Sequence, residues 1–399
     1  MNKPGRELGL AVMLASASSL AVFAQSNLVT VAIEVATVQV SWNSETNRQY
    51  QFQYSSALTS NTWVNLNAPV RGNGSNNVVI DSVSGQSRKF YRVVRLQPLF
   101  EYGIGVRHQF DLNGNNLQTN LNAINLQADS FDSGTIAGSN NGRYDPSKAS
   151  DYCEIAAYLG ITNSVNIGDL SVFGKIFTGP DASISLGPNS SVGDKAWHAA
   201  GNFGIEPGFL TNDLELSFPD VTVPFASGGY FTTPTLFVST NINGTTYAQV
   251  YGAGNYRIDV WNLTAPGKNI LIQGDVSIWL VNGFSIAGSS HIVLATGAKL
   301  VLYVGKPCVI TGSAGFQNDG NAAQLIIYGL PLCTSLSFGG NASFTGCIYA
   351  PHANFSLNGG AINAYDFVGA MKLNSIVLNG LVTFHYDENL RRTGPPEIP

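Results

Sequence analysis

Three polar residues near the C-terminus could take part in acid and base chemistry. His385 and Asp387 lie in HYDE (385–388), and Asp366 precedes them in AYDFVG (364–369). Because alternate residues of a β-strand point to the same face, His385 and Asp387 would share one face. A polar cluster that covers the open end of a repeat protein explains the same residues without catalysis. We therefore predict no catalytic residue and keep these three as the candidates for one.

A second polar segment, DLNGNN (111–116), resembles a calcium-binding loop in the alternation of its side chains. Asp111, Asn113 and Asn115 occupy alternate positions, as oxygen ligands do in such loops. The segment lacks the acidic residue that closes these loops, so an asparagine-rich turn is the simpler interpretation. We expect no bound metal. Motifs for a nucleophilic serine or a nucleotide phosphate are missing, and no cofactor is expected.

Cysteine and histidine occur together in FTGCIYAPHANFSLNGG (344–360), where Cys347 precedes His352 by five positions. Four cysteines are too few for a disulfide framework in a chain of 399 residues. Cys333 and Cys347 are the pair closest in sequence and are the first choice for a predicted disulfide; the alternative is that Cys347 is a packed thiol. Their spacing does not match a zinc site.

One short helix is predicted in the chain. Asp145 can cap it, Pro146 fits its first turn, SKASDYCEIAAYL follows, and Gly160 can end it. Cys153, in the middle of this run, is expected to be buried.

The composition is that of a β protein rich in turns. Only 11% of the residues are charged, against roughly 25% in a typical soluble domain, and there are 43 glycines. The formal net charge is −5, and no run of lysine or arginine occurs. Nucleic acid and anionic membrane surfaces are therefore not expected as partners.

The first residues resemble an export signal. Lys3 and Arg6 precede an apolar run from Leu8 to Ala24, and cleavage is expected after Ala24, so residues 1–24 are predicted to be a signal peptide. A retained membrane anchor is the alternative, but the run is shorter than the ~20 residues of a spanning helix. No later segment is expected to span a membrane.

Residues 28–97 are predicted to form a small β module. Alternating segments such as VTVAIEVATVQVSW and KFYRVV are separated by turn-rich segments, as in a β-sandwich. The module resembles fibronectin type III and immunoglobulin-like modules of bacterial exported proteins. Five aromatic residues are expected to fill its core: Trp42, Tyr50, Tyr54, Trp63 and Tyr91.

The C-terminal half contains a repeat. Apolar residues recur at intervals of eight, so three short strands take about 24 residues, which is close to one turn of a three-faced parallel β-helix. In addition, FTGCIYAPHANFSLNG (344–359) aligns with FVGAMKLNSIVLNG (367–380) if two residues are deleted. That alignment stacks Phe344 on Phe367, Leu357 on Leu378 and Asn358 on Asn379. An up-and-down barrel or sandwich is the alternative, and it would not show this period. The residues spaced by eight are Phe284, Ile292, Leu300, Cys308 and Phe316.

Several motifs in fixed order resemble one family over residues 105–390. They include LQADSFDSG, NNGRYDPSK, FPDVTVP, YGLPLCTSLSFGGNASFTGCIYAP and VLNGLVTFHYDENL. The family consists of uncharacterised exported bacterial proteins with a domain of unknown function that is predicted to be a right-handed parallel β-helix. The resemblance implies an architecture and a location, and it carries no catalytic residues. We therefore predict an all-β chain in which the β module precedes a β-helix at 105–390 and a tail at 391–399.

These features favour a secreted or cell-surface protein with a structural or adhesive role and no catalytic activity. A polysaccharide-binding protein, or a polysaccharide-active enzyme of the lyase or hydrolase type, is the alternative. Such enzymes cluster carboxylates on one face, whereas residues 284–360 contain Asp319 as their one acidic residue. Extracellular polysaccharides or envelope components are the expected partners. Exposed aromatic residues would bind glycans, although core packing is the simpler interpretation of each one. The candidates are Trp197, Tyr230, Tyr247, Tyr251, Tyr256 and Trp261.

Overall fold

A computed structural model describes most of the chain, in two compact units. The units comprise residues 1–99 with 395–397, and residues 100–394 with 398–399. The described residues are 21–22, 29–30, 37–45, 48–58, 63–84, 88–96, 98–112, 127–160, 164–236, 240–242, 244–265, 268–340, 343–359 and 365–395. Apart from residues 21 and 22, the predicted signal peptide lies outside them.

The first unit contains short antiparallel sheets. Strand β3 pairs with β7, and β4 pairs with β5, β6 and β8. A separate two-residue ladder joins β1 to β2. The strands are β1 (Ala21–Val22), β2 (Val29–Thr30), β3 (Thr37–Asn43), β4 (Gln49–Ser55), β5 (Val64–Asn65), β6 (Val70–Arg71), β7 (Asn76–Ser82) and β8 (Phe90–Leu96).

The core of this unit lies between its two larger sheets. Tyr50 and Tyr91 are buried there, and Trp42 and Tyr54 pack against the buried cluster while remaining partly exposed. Trp63 lies outside this cluster, and the guanidinium of Arg92 lies over its ring at 4.5 Å. Four of the five predicted core aromatics are therefore core residues.

The second unit begins with ten strands and one helix. The strands are β9 (Ile104–Asp111), β10 (Gln127–Phe131), β11 (Ile155–Ala157), β12 (Val165–Asn166), β13 (Ser171–Phe173), β14 (Ile176–Thr178), β15 (Ile184–Ser185), β16 (Ser191–Gly193), β17 (Gly204–Ile205) and β18 (Leu210–Thr211). Helix α1 spans Lys195–Ala199, and a single 3₁₀ turn spans Pro146–Lys148.

The longer helix predicted after Asp145 is wrong. Asp145 does cap, by accepting a hydrogen bond from the Ser147 N–H at 3.0 Å, but the helix is only one 3₁₀ turn. Ile155–Ala157 instead forms β11, which is fully buried between β9 and β14. Parallel pairing on both sides therefore overrides the local helix signals. Cys153 is buried, as expected.

The unit continues with sixteen strands and a short helix. The strands are β19 (Thr240–Ile242), β20 (Thr245–Tyr251), β21 (Gly254–Ile258), β22 (Trp261–Leu263), β23 (Asn269–Ile272), β24 (Asp275–Leu280), β25 (Phe284–Ile286), β26 (His291–Leu294), β27 (Lys299–Val304), β28 (Cys308–Ile310), β29 (Gly315–Gln317), β30 (Leu325–Gly329), β31 (Ser335–Gly340), β32 (Phe344–Gly359), β33 (Tyr365–Gly380) and β34 (Val382–Asp387). Helix α2 spans Leu390–Thr393, so the expected tail begins inside a helix, and a 3₁₀ turn spans Ala322–Gln324.

These strands pair in parallel at the predicted period. Strands β24, β25 and β26 pair with β27, β28 and β29 respectively, and each pairing joins residues 24 positions apart. All five residues of the eight-residue series are buried. Side chains that recur with this period therefore stack on one another in the core.

The alignment of residues 344–359 with 367–380 is also confirmed. Phe344 pairs with Phe367, Leu357 with Leu378, and the register shifts by two residues between Ala350 and Asn354. The Asn379 side chain donates a hydrogen bond to the Asn358 Oδ1 at 2.9 Å. Both amides are exposed, so this ladder lies on the surface and not in the interior.

The most C-terminal strands pair with the most N-terminal strands of the unit. Strand β33 pairs in parallel with β9, and β34 pairs in parallel with β10, which aligns His385 with Asp129. On their other sides, β9 pairs with β11 and β12, and β10 pairs with β13. We call the β9–β33 and β10–β34 pairings the seam. Because β34 has a neighbour on both sides, the prediction that HYDE covers an open end is wrong.

An irregular segment, Leu214–Phe225, crosses several strands of the unit, and we call it the strap. Phe218 lies over the guanidinium of Arg107 at 5.2 Å and over the Lys372 ammonium at 5.3 Å. From first to last, the strap contacts Thr178 on β14, Arg107 on β9, Tyr349 and His352 on β32, and Tyr303 on β27. The strap is thus part of the connection between β18, which ends at Thr211, and β19, which begins at Thr240.

Candidate functional site

His385 lies at the centre of the seam and is almost fully buried. Its main chain belongs to β34, which places it beside Asp129 of β10 and Val368 of β33. The imidazole stacks on the ring of Tyr144, with 3.7 Å between the ring centroids. Strand pairing fixes the position of the histidine main chain, and the tyrosine covers the outer face of its ring.

Both nitrogens of the imidazole are paired with carboxylates. The Nδ1 contacts Oδ1 of Asp129, and the Nε2 lies 2.8 Å from Oδ1 of Asp366. Burial by itself would lower the His385 pKa, but hydrogen bonds and charges from the two aspartates outweigh it and raise the pKa to about 9. The histidine is therefore a cation at neutral pH.

Other side chains hold the two aspartates in place. The second oxygen of Asp129 accepts hydrogen bonds from Gln127 at 2.8 Å and from the Tyr144 hydroxyl at 2.7 Å. Asp366 is half exposed and accepts a hydrogen bond from the Thr383 hydroxyl at 2.9 Å. Its own burial opposes ionisation, yet the hydrogen bond and charge of His385 keep the Asp366 pKa below its usual value. The cluster is an ion triad in which further hydrogen bonds hold both aspartates.

Asp387 belongs to a neighbouring cluster and does not bond to His385. Its carboxylate accepts hydrogen bonds from the Ser133 N–H and hydroxyl at 3.1 and 2.7 Å and from the Asn389 N–H at 3.1 Å. Burial outweighs these three bonds and raises the Asp387 pKa to about 6. His385 and Asp387 therefore belong to two separate clusters, although they occupy alternate positions on one strand.

Further polar contacts cross the seam beside these clusters. Glu388 accepts hydrogen bonds from the hydroxyls of Ser130 and Ser150, and Arg392 pairs with Asp132. Arg391 of α2 pairs with Glu154 and donates to the main-chain carbonyl of Glu101 at 2.6 Å. In each contact the partners are more than 200 residues apart in sequence. The polar residues around HYDE therefore bind two distant parts of the chain together.

This arrangement restricts the chemistry that His385 can perform. A general base needs a free lone pair near neutral pH, and a metal ligand needs a neutral imidazole nitrogen. Protonated His385 has neither, because each nitrogen bears a hydrogen directed at a carboxylate. Within the described parts of the chain, no group of three or more His, Cys, Asp or Glu side chains is arranged to hold a metal ion.

The calcium candidates are only partly described. Asp111 ends β9, is buried, and accepts a hydrogen bond from the Asn166 side chain at 2.9 Å. Asn113 and Asn115 lie outside the described residues. The described carboxylate thus serves to link β9 to β12.

The predicted Cys333–Cys347 disulfide is not present. All four cysteines are buried free thiols, and burial raises the pKa of Cys347 above its usual value. The Cys347 thiol contacts the Ala322 carbonyl, whereas Cys333 neighbours Cys308. Proximity in sequence fails here because Cys333 lies in the turn between β30 and β31, whereas Cys347 lies on β32, and the two thiols have different neighbours.

His352 lies at the two-residue register shift in β32, as the alignment predicts for a corner. Its Nε2 pairs with Asp220 of the strap at 2.6 Å, and its side chain is one-third exposed. Cys347 and His352 therefore do not form a site together. The thiol packs in the interior, while the imidazole holds the strap.

The sequence did not identify Asp129, a member of the His385 triad, or Tyr144, whose ring stacks on the imidazole. Both lie in motifs that mark the family resemblance, LQADSFDSG and NNGRYDPSK. The alternation in QADSF predicts a strand, but nothing local indicates that this strand pairs with one 256 residues later.

Among the described residues, no helix is long and apolar enough to cross a membrane.

Comparison with known proteins gives one match. A family described as a domain of unknown function, DUF7305, matches residues 227–393. No curated protein and no solved structure matches the chain. The match includes His385 and Asp366 but begins after Asp129 and Tyr144. The segment that is similar to this family thus provides one side of the seam, strands β33 and β34.

Proposed function

We propose that the protein is an exported structural or adhesive component of the cell surface or extracellular matrix, built on a right-handed parallel β-helix at residues 105–390. The pairing of strands 24 residues apart, three strands to each period, supports that architecture. The apolar run that ends at Ala24 supports export.

The observation that carries the structural role is the state of His385. A catalytic histidine exchanges its proton with a substrate, whereas this one is held as a cation between Asp129 and Asp366. Its bond to Asp129 joins segments that are 256 residues apart, so it stabilises the assembled fold. The His385 triad, which by its residue types is the best candidate for catalysis, therefore favours a structural role.

Incubation with polysaccharides tests this proposal against the enzymatic alternative. The purified protein would be mixed with a panel of uronate-containing and neutral polysaccharides, and the products assayed for new reducing ends and for unsaturated sugars. We expect neither product above the level of a boiled sample. Release that is lost in an Asp366→Asn variant of unchanged stability would refute the structural role and assign catalysis to this cluster.

A further inference from the structure

A polar pocket of about 500 Å³ opens on the surface of the second unit, and no member of the His385 triad lines it. It lies between two loops, one holding residues 140–143 and the other residues 319–324. Its volume falls within the roughly 300–1,000 Å³ that is typical of ligand sites. The lining consists of Asn140, Asn141, Arg143, Asp319, Asn321 and Gln324, and it contains no aromatic residue.

Internal hydrogen bonds hold both loops in place. On one side, Lys148 Nζ donates to the carbonyls of Ile136 and Ser139, and the Gly142 N–H donates to the Ser139 hydroxyl at 3.1 Å. On the other side, the Asn321 side chain accepts the Ala323 N–H at 2.9 Å. The pocket is therefore formed before any ligand binds, which reduces the entropic cost of binding.

Arg143 is the cationic residue of this pocket, and it forms no close ion pair within the described residues, although its charge helps to keep the Asp319 pKa low. Its Nε donates to the Asp319 carbonyl at 2.5 Å. Gly320, with a φ of 84°, makes this close approach possible, because a Cβ there would lie 2.9 Å from Arg143 Cγ. No carboxylate of the described residues lies within 4.0 Å of the Arg143 nitrogens. The terminal amino groups of the guanidinium thus remain available to an anion.

Asp319 provides the complementary acceptor. Its Oδ2 accepts the Gly297 N–H at 2.8 Å and the Gln324 amide at 2.9 Å. The Gly297 hydrogen bond, with that of Gln324, holds the Asp319 pKa below its usual value, so the group is ionised. Its Oδ1 makes no hydrogen bond within the described residues, and it can accept a bond from a ligand hydroxyl.

We propose that this pocket binds a carboxylate-bearing sugar, with Arg143 on the carboxylate and the asparagine side chains and Asp319 on the hydroxyls. A guanidinium matches a carboxylate with two parallel hydrogen bonds, and amide and carboxylate side chains match pairs of sugar hydroxyls. The inference rests on the proposed adhesive function and gives it a ligand class, an acidic glycan.

Isothermal titration calorimetry with two matched probes tests the proposal. The probes are α-1,4-linked trigalacturonate and α-1,4-linked trigalactose, which differ in the carboxylate at C6. We expect the protein to bind trigalacturonate at least tenfold more tightly than trigalactose, and the binding to weaken as salt is added. Arg143→Gln should weaken trigalacturonate binding about tenfold or more, and Arg143→Lys should have a smaller effect.

Lys306→Gln is the matched control, since it removes one exposed positive charge between β27 and β28, at a different bend of the chain. We expect it to bind like the unaltered protein. Equal binding by Arg143→Gln and by the control would overturn the pocket while leaving adhesion to acidic glycans intact. No measurable binding of trigalacturonate at millimolar concentration would also overturn the pocket, and retention on immobilised polysaccharides would then judge the adhesive function separately.

Discussion

Replacing His385 with glutamine should remove a pH-dependent part of the protein's stability. The rise of the His385 pKa from 6.5 to about 9 is worth about 3 kcal/mol, since each pKa unit corresponds to about 1.4 kcal/mol. Because the folded-state pKa lies above the unfolded value, this stabilisation is complete below about pH 6.5 and is lost as pH rises through about 9. His385→Gln should therefore destabilise the protein most at pH 6 and least near pH 9.5.

Urea unfolding followed by circular dichroism, at half-unit steps from pH 6 to 9.5, measures this effect. The difference in unfolding free energy between the unaltered protein and His385→Gln cancels the titration of other groups. His291→Gln is the control, because His291 belongs to the same unit and has no carboxylate partner among the described residues. We expect the His385→Gln difference to shrink by about 3 kcal/mol across the range. A difference that stays constant from pH 6 to 9.5 would show that His385 is not held as a cation.

Three further outcomes are expected. Asp387 has a folded-state pKa raised to about 6, so its contribution to stability falls as pH rises from about 4 to 6, and Asp387→Asn should flatten that part of the stability profile; an unchanged slope would contradict the burial argument. Tyr349→Phe removes the 2.7 Å hydrogen bond to the Pro219 carbonyl and should lower stability by about 1 kcal/mol and increase amide exchange in the strap, whereas unchanged exchange would show that this bond does not hold the strap. Ellman's reagent should label none of the four buried cysteines in the folded protein and all four in denaturant without reductant, and fewer than four would reveal a disulfide.

The sequence predicts the fold best where the chain repeats itself. Phe284, Ile292 and Leu300 are spaced by eight and lie on three successive strands, which together give the period of 24 residues at which strands pair and similar buried side chains stack. The alignment of FTGCIYAPHANFSLNG with FVGAMKLNSIVLNG gives the register of β32 and β33 and the site of its two-residue shift. In these segments, local pattern and tertiary packing select the same structure.

The sequence predicts the fold poorly where pairing is decided at a distance. SKASDYCEIAAYL has the start and stop signals of a helix, yet part of it becomes β11 because β9 and β14 pair with it on both sides. The choice of Cys333 and Cys347 as a bridge rests on nearness along the chain, which does not control nearness across stacked strands. Local signals are too weak by themselves to compete with buried strand pairing.

The sequence by itself determined the β class, the period of the repeats and the polar residues near the C-terminus that are candidates for acid and base chemistry. Only the tertiary structure decided that β34 pairs with β10, which places Asp129 and Tyr144 against His385. The strands that meet at the seam share no repeated motif, so no pattern in the sequence indicates that they pair. His385 is a candidate acid or base in the sequence but a member of an ion triad in the fold, because its partner Asp129 lies 256 residues away in the chain.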